Sequence, residues 1–367
     1  MSAKGTSSRR EVLEDLRVGP STHPGLWLDK YLTTSDKADT EAKGTLISEV
    51  IKAFEHPSLK KAYKAYFRRY REAVASRAGL TYGAQGRTRG RLSVGLGANS
   101  VLETSILLHR TYGVPYIPGS ALKGLASSYA AKYFDDDAWK RSFDGGKTKR
   151  GALQKLIFGD TEESGLVIFF DALPDPDDKE LSLDRDVITV HHPDYYQGKG
   201  EKPPADWDSP NPVPFITARG KFHFYLGLVP LPESELEKGQ KVLELAAKLL
   251  KLALEEEGVG AKTTIGYGRF AFEKDFAPIE RPKPKRSELY ETLASRVKGI
   301  RWNTPPHELE KRLADFFELS AEEQKAFLVE FRANLEGALG KPPVMNPKFK
   351  KSTKLKELFA LMQQMVK

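Results

Sequence analysis

The chain has 367 residues, enough for one large domain with extensions or for two domains. It has no cysteine, which excludes disulfides and thiolate metal sites and fits a reducing cytoplasm. Its net charge of +8 favours a polyanionic partner such as nucleic acid, although a Lys-rich soluble surface gives the same figure. The start, Met1 to Arg10, is polar and basic and lacks the apolar core of a secretory signal. No apolar run is long enough to span a membrane, so a cytoplasmic protein is expected.

Residues 1–45 mix Gly, Ser, Thr, Pro and charge and read as a loosely ordered arm. Leu46 to Arg77 reads as helix, broken near His56 and Pro57. Its second half is basic (Lys60, Lys61, Lys64, Arg68, Arg69, Arg71) and interleaved with Tyr63, Tyr66, Phe67 and Tyr70. That pattern describes a solvated face over an aromatic core stripe. Gly83 and Gly86 mark a boundary, and Arg87 to Leu96 alternates like a half-exposed strand. Leu102 to Tyr116 is a second extended stretch. Pro118, Gly119 and Ser120 open a helix over Ala121 to Phe134, with Ser120 as the expected N-cap.

Leu166 to Ala172 reads as a central apolar strand. Pro174 to Pro214 lacks periodicity and reads as a long insertion, a feature that in compact domains usually carries function. Lys221 to Val229 alternates as a strand, and Leu236 to Glu256 is an amphipathic helix. Gly258 to Gly268 is glycine-rich and leads into a short strand ending near Phe272. The order is strand, helix, strand, insertion, strand, helix, strand, which is that of an α+β, ferredoxin-like fold. Pro278 to Pro284 is a proline-basic linker, and 287–367 carries amphipathic helices. The expected divisions are 1–85 (arm and helices), 86–280 (core, with the insertion at 174–214) and 281–367 (helical extension).

Two segments carry chemistry. In Tyr116-Ile-Pro-Gly-Ser-Ala-Leu-Lys-Gly, a helix start offers free amides and a partial positive charge to a phosphate. Gly119 would let a backbone approach, Ser120 would donate a hydrogen bond, and Lys123 lies one turn in. The plain alternative is an ordinary capped helix. In Gly258-Val-Gly-Ala-Lys-Thr-Thr-Ile-Gly-Tyr-Gly-Arg-Phe, four glycines with Lys262, Thr263, Tyr267 and Arg269 suit a loop that tracks an RNA backbone while a ring stacks. A hairpin with flexible glycines is its alternative.

Other signals are weaker. Gly145-Gly-Lys-Thr lacks the earlier glycine of a P-loop, Arg141 standing there, and His307-Glu308 lacks the second His of a zinc protease helix. His191, His192 and Asp194 would ligate a metal together only awkwardly, since adjacent strand side chains point to opposite faces. Tyr195, Tyr196 and Trp207 read as packing of the insertion rather than as base-stacking rings. No metal or cofactor is expected.

Several blocks together resemble a known family. They are Leu92-Ser-Val-Gly-Leu-Gly, Ser100-Val-Leu-Glu-Thr, Leu108 through Gly124, Phe169-Phe-Asp-Ala, Asp186-Val-Ile-Thr, Asn211-Pro-Val-Pro-Phe and Gly260-Ala-Lys-Thr-Thr-Ile-Gly-Tyr-Gly-Arg-Phe. The chain resembles the repeat-associated mysterious protein (RAMP) superfamily, and within it the sixth subunits of type III-B CRISPR (Cmr) effector complexes, over roughly Gly86 to Phe272. The resemblance implies a ferredoxin-like, RRM-like core with a thumb-like insertion. It implies a non-catalytic subunit that holds the 3′ part of a guide RNA beside target RNA, with a backbone RAMP subunit, a small helical subunit and a terminal RAMP subunit as partners. The expected RNA contacts are Arg89, Arg91, His109, Arg110, Gly119, Ser120, Lys123, Lys262, Thr263, Tyr267 and Arg269. No match to the catalytic aspartate loop of a related subunit is found. The rival is a metal-independent endoribonuclease that processes guide precursor, with His109 or the His191–His192 pair as general base.

Overall fold

The computed structural model describes residues 16–34, 39–144, 147–190, 195, 203–207, 210–280, 286–301, 303–341 and 344–364. The chain divides into two compact units, Met1–Pro282 and Lys283–Lys367.

The first unit begins with helices where the sequence suggests a loose arm. Helix α1 covers Pro24–Lys30 and α2 covers Thr40–Glu55. The Asp39 carboxylate caps α2 by accepting the Ala42 N–H, so the helix starts well before Leu46. Helix α3, Pro57–Arg77, follows directly, with His56 as its cap and Pro57 at its first position. Tyr63 and Phe67 of α3 are buried while Lys60, Lys61, Lys64, Arg68, Arg69 and Arg71 are exposed, as the interleaved pattern predicts.

Strand β1 is Leu80–Thr88, earlier than the alternation of Arg87 to Leu96 suggests. Beyond Thr88 the chain leaves the sheet. Leu92, Ser93 and Val94 are buried in succession, and a single antiparallel bridge joins Leu92 to Ala218. Helix α4 covers Gly119–Tyr133. A small hairpin, β2 (Arg141–Asp144) and β3 (Lys147–Arg150), leads to helix α5, Ala152–Phe158. The single strand expected over Leu166 to Ala172 is two short ones, β4 (Val167–Phe169) and β5 (Leu173–Pro174). The expected aperiodic insertion contains strand β6, Ser182–Val190, paired antiparallel with β7, Asn211–Arg219. Pro212 and Pro214 hide β7 in the sequence; a two-stranded ribbon tolerates them because each strand has a free edge.

Strand β8, Lys221–Leu228, pairs with β1 across its whole length, and helix α6, Leu236–Glu256, follows. Short strands β9 (Phe270–Phe272) and β10 (Ala277–Pro278) both pair with β1. Every pairing in the sheet is antiparallel, with β4 beside β8, β8 beside β1, and β1 beside β9. Residues 222–228 of β8 are all buried because helices cover both faces. Phe224 packs on Phe270 and Phe272 on the α6 side, where a Cβ at Gly239 of α6 would meet Leu228. On the other face His223 and Tyr225 lie against Phe67 and Tyr70 of α3. Burying apolar residues of α6 such as Leu243, Leu250 and Leu254 stabilises the unit by about 1.5–3 kcal/mol per side chain.

The second unit contains helices α7 (Glu288–Val297), α8 (Pro306–Arg312), α9 (Ala321–Glu330), α10 (Arg332–Leu339) and α11 (Thr353–Gln364). It has its own core, built on Tyr290, Leu293, Phe316, Phe327, Leu335, Phe349 and Leu358. No helix among the described residues is long and apolar enough to cross a membrane.

Candidate nucleic-acid interface

The glycine-rich loop after α6 folds back on itself and onto residues 89–94. Val259 N–H donates to Gly268 O at 3.0 Å, Ala261 N–H to Ser93 O at 2.7 Å, and Gly268 N–H to Arg91 O at 2.8 Å. Arg89 N–H donates to Arg269 O at 2.8 Å. These bonds gather Arg89, Arg91, Lys262, Thr263, Tyr267 and Arg269 in one place. They also use up loop amides that the sequence suggests for tracking a nucleic-acid backbone. The glycines are there for packing: a Cβ at Gly260 would lie 2.3 Å from Ser93 O, and one at Gly268 1.9 Å from Val259 O. Gly266 differs, having φ +96° and nothing within 4 Å of a Cβ.

Side chains are therefore what this loop offers a ligand. Arg89 is exposed. Lys262 sits in the left-handed region at φ 63°, costing about 1–2 kcal/mol, and its ammonium lies 5.8 Å above the Phe215 ring. Arg91 is committed elsewhere, pairing with Asp186 at 2.9 Å and donating to Arg185 O at 3.0 Å. Tyr267 donates its hydroxyl to the same carboxylate, so its ring is held against the β6–β7 ribbon. Burial alone would raise the Asp186 carboxyl. Hydrogen bonds from Tyr267 and the Val187 N–H, with the Arg91 charge, hold it below the usual aspartate value. The Nε of Arg269 and the Oγ of Ser93 are buried without a partner.

The second group surrounds the start of α4. Its N-cap is Pro118, and Ser120 is an exposed residue of the first turn that makes no cap bond, contrary to the sequence expectation. The anion at this helix end is the chain's own. Asp171 Oδ1 accepts the Gly119 N–H at 2.7 Å. Gly119 is buried, and a Cβ there would lie 2.1 Å from Phe169 O, so its missing side chain serves backbone packing rather than ligand approach. Tyr70 donates its hydroxyl to Asp171 O at 2.8 Å. His109 lies within 5.1 Å of the Tyr66 ring and 5.2 Å of Tyr112, and its Nδ1 accepts the Thr111 N–H at 3.2 Å. Burial pushes the His109 imidazole down; Asp171 opposes this, and the charge of His23 adds to it. Arg110 is exposed beside it. Lys123 is half-buried, and burial followed by the charge of Arg150 lowers its ammonium.

Asp171 and Asp186 organise the two groups, yet the sequence assigns them no role; each sits in one of the motif blocks, which is the signal that marks them. Trp207, expected to pack, is 87% exposed, and Tyr195 is 39% exposed; Leu183, Phe215 and Ile216 of the ribbon supply the buried apolar side chains instead. His191, His192, Asp194 and Tyr196 lie outside the described residues. Among the described residues no three His, Asp or Glu side chains gather as metal ligands.

A family model described as the RAMP superfamily matches residues 85–271. The CRISPR system Cmr subunit Cmr6 of Pyrococcus furiosus is 34% identical over 259 residues, covering 56% of this chain and 72% of that protein. The corresponding subunit of Saccharolobus solfataricus is 26% identical over 243 residues, covering 64% of this chain and 74% of that one. A chain in a cryo-EM structure of the type III-B Cmr-beta complex bound to cognate target RNA aligns over 68% of this chain and 80% of its own length. Its identity is 22% and its TM-score 0.46. By the family match and the Pyrococcus relative, this chain belongs to the RAMP superfamily and is a homologue of the Cmr6 subunits of CRISPR systems.

Proposed function

We propose that the chain is a non-catalytic, guide-RNA-binding subunit of a type III-B CRISPR effector complex in the cytoplasm, placed at the guide 3′ end. The observation that carries the reading is the packing of the glycine-rich loop onto residues 89–94, which sets Arg89, Lys262 and Arg269 together in a homologue of Cmr6. The order β4–β8–β1–β9, with α4 and α6 as the two crossover helices, supports a ferredoxin-like core. The β6–β7 ribbon is the candidate thumb. In this reading RNA phosphates meet the cationic side chains of the loop, while target RNA and the neighbouring Cmr subunits complete the surroundings of the guide.

Backbone contacts of this kind release counterions, so affinity for single-stranded RNA falls steeply with salt and depends little on sequence. Lys262→Ala should reduce the slope of log affinity against log salt by about 0.7 if Lys262 meets one phosphate. A flat salt response in the wild-type chain refutes the reading. Sequencing the ends of RNA crosslinked to this subunit in the native complex tests the 3′ placement. Cleavage of labelled guide precursor by the pure chain in chelator, abolished by His109→Ala, would establish the endoribonuclease instead.

A further inference from the structure

The β2–β3 hairpin holds cations that nothing in the described structure neutralises. Arg141 and Arg150 are direct cross-strand partners, and like charges placed opposite each other are unfavourable. The Nε and Nη1 atoms of Arg150 are shut off from solvent and have no hydrogen-bond partner. A buried N–H of a charged group left unpaired is costly, so a native protein seldom keeps one without cause. Lys123, from the first turns of α4, lies within electrostatic reach of the same guanidinium and is itself half-buried. Burial and then the Arg141 charge lower Arg150, with Asp160 opposing.

Asp160 is engaged elsewhere. It pairs with Lys155 at 3.2 Å and accepts the N–H groups of Glu162 and Glu163, each at 2.8 Å. Lys140, beside the hairpin, is paired with Asp137 at 2.6 Å. The base of the hairpin is fixed by packing: Gly151 N–H donates to Lys140 O at 3.0 Å, and a Cβ on Gly151 would lie 2.0 Å from Asp137 O. Arg150 is thus held in an unfavourable place by its surroundings. A local electrostatic rule broken with no compensation inside the protein points to compensation from outside it.

We propose that Lys123, Arg141 and Arg150 form a phosphate-binding site that takes one phosphate of an RNA backbone. The guanidinium edge carrying Nε and Nη1 supplies directed donors to a phosphate oxygen, and Lys123 and Arg141 supply charge. The site shares no residue with the glycine-rich loop. That its phosphate belongs to RNA rests on the function proposed above.

The test uses the full chain and Arg150→Met, which keeps an apolar stem and removes the unpaired donors. The variant should melt at or above the wild-type temperature. Its salt slope for a short single-stranded RNA of mixed sequence should fall by about 0.7. Inorganic phosphate, compared with chloride at equal ionic strength, should raise the melting temperature of the wild type more than that of the variant. Lys123→Gln should lower the salt slope in the same direction. Several results overturn the proposal. If Arg150→Met melts lower and RNA affinity follows the folded fraction, the residue is structural. If the variant loses the phosphate response but keeps the RNA slope, the site takes free phosphate. If Lys262→Ala lowers the slope and Arg150→Met does not, this site fails while the function stands. No salt-dependent RNA binding by the wild type removes the function and this site together.

Discussion

The glycines of the 258–268 loop sort into those that packing demands and one that it does not, and substitution separates them. Gly268 has φ +70°, and a Cβ would lie 1.9 Å from Val259 O, a backbone atom that cannot step aside without breaking the loop. The left-handed backbone costs an L-residue about 1–2 kcal/mol. Forcing a methyl into filled space adds about 1–3 kcal/mol. Gly268→Ala should therefore destabilise the first unit by about 2–5 kcal/mol, lowering its melting temperature by roughly 5–15 °C. Gly266→Ala carries only the backbone cost, since nothing lies within 4 Å of its Cβ. Thermal unfolding of both variants in one buffer isolates the steric part as the difference between them. If Gly268→Ala melts no lower than Gly266→Ala, the loop is open rather than folded onto residues 89–94, and the account of the interface fails.

Gly119→Ala should destabilise the first unit by the same steric route, because its Cβ would lie 2.1 Å from Phe169 O; an unchanged melting temperature would return Gly119 to a ligand-facing role. Asp186→Asn removes the charged partner of both Arg91 and Tyr267 and should cost about 1.5–3 kcal/mol in urea unfolding at neutral pH. The Asp186 carboxyl is held below its ordinary value, so its stabilisation is present above about pH 4 and lost as pH falls through the folded value. Asp186→Asn should flatten the acid limb of the pH–stability curve, and an unchanged limb refutes the assignment. In the second unit, Glu323 is pulled down to about 2, first by the Ser287 N–H and then by the Ser287 and Ser320 hydroxyls. Its contribution is complete above its ordinary value of 4.5 and is lost as pH falls towards 2. Glu323→Gln should remove that window from the unfolding of the second unit while leaving its behaviour at pH 7 less pH-dependent than the acid limb of the wild type.

What the sequence determines alone is what depends on neighbours a few residues apart. Helix α6 is legible from its own apolar spacing, and its limits, Leu236–Glu256, are those the pattern predicts. The break between α2 and α3 follows from Pro57, which fixes its own backbone and lacks an N–H. The succession of strands and helices is likewise local, and with the motif blocks it leads to the family. Tertiary structure decides the site, because its key contacts join distant segments. Asp171 caps Gly119 from 52 residues away and Tyr267 reaches Asp186 across 81, distances over which no periodicity carries information. For the same reason a run of glycines cannot reveal whether its amides are free. Ser93 O and Arg91 O take those of Ala261 and Gly268, and only the folded chain brings these carbonyls within reach. Strand β7 is hidden because its prolines are acceptable only where one edge of a ribbon needs no N–H donors, a condition set by pairing with β6 and not by the residues of β7 themselves.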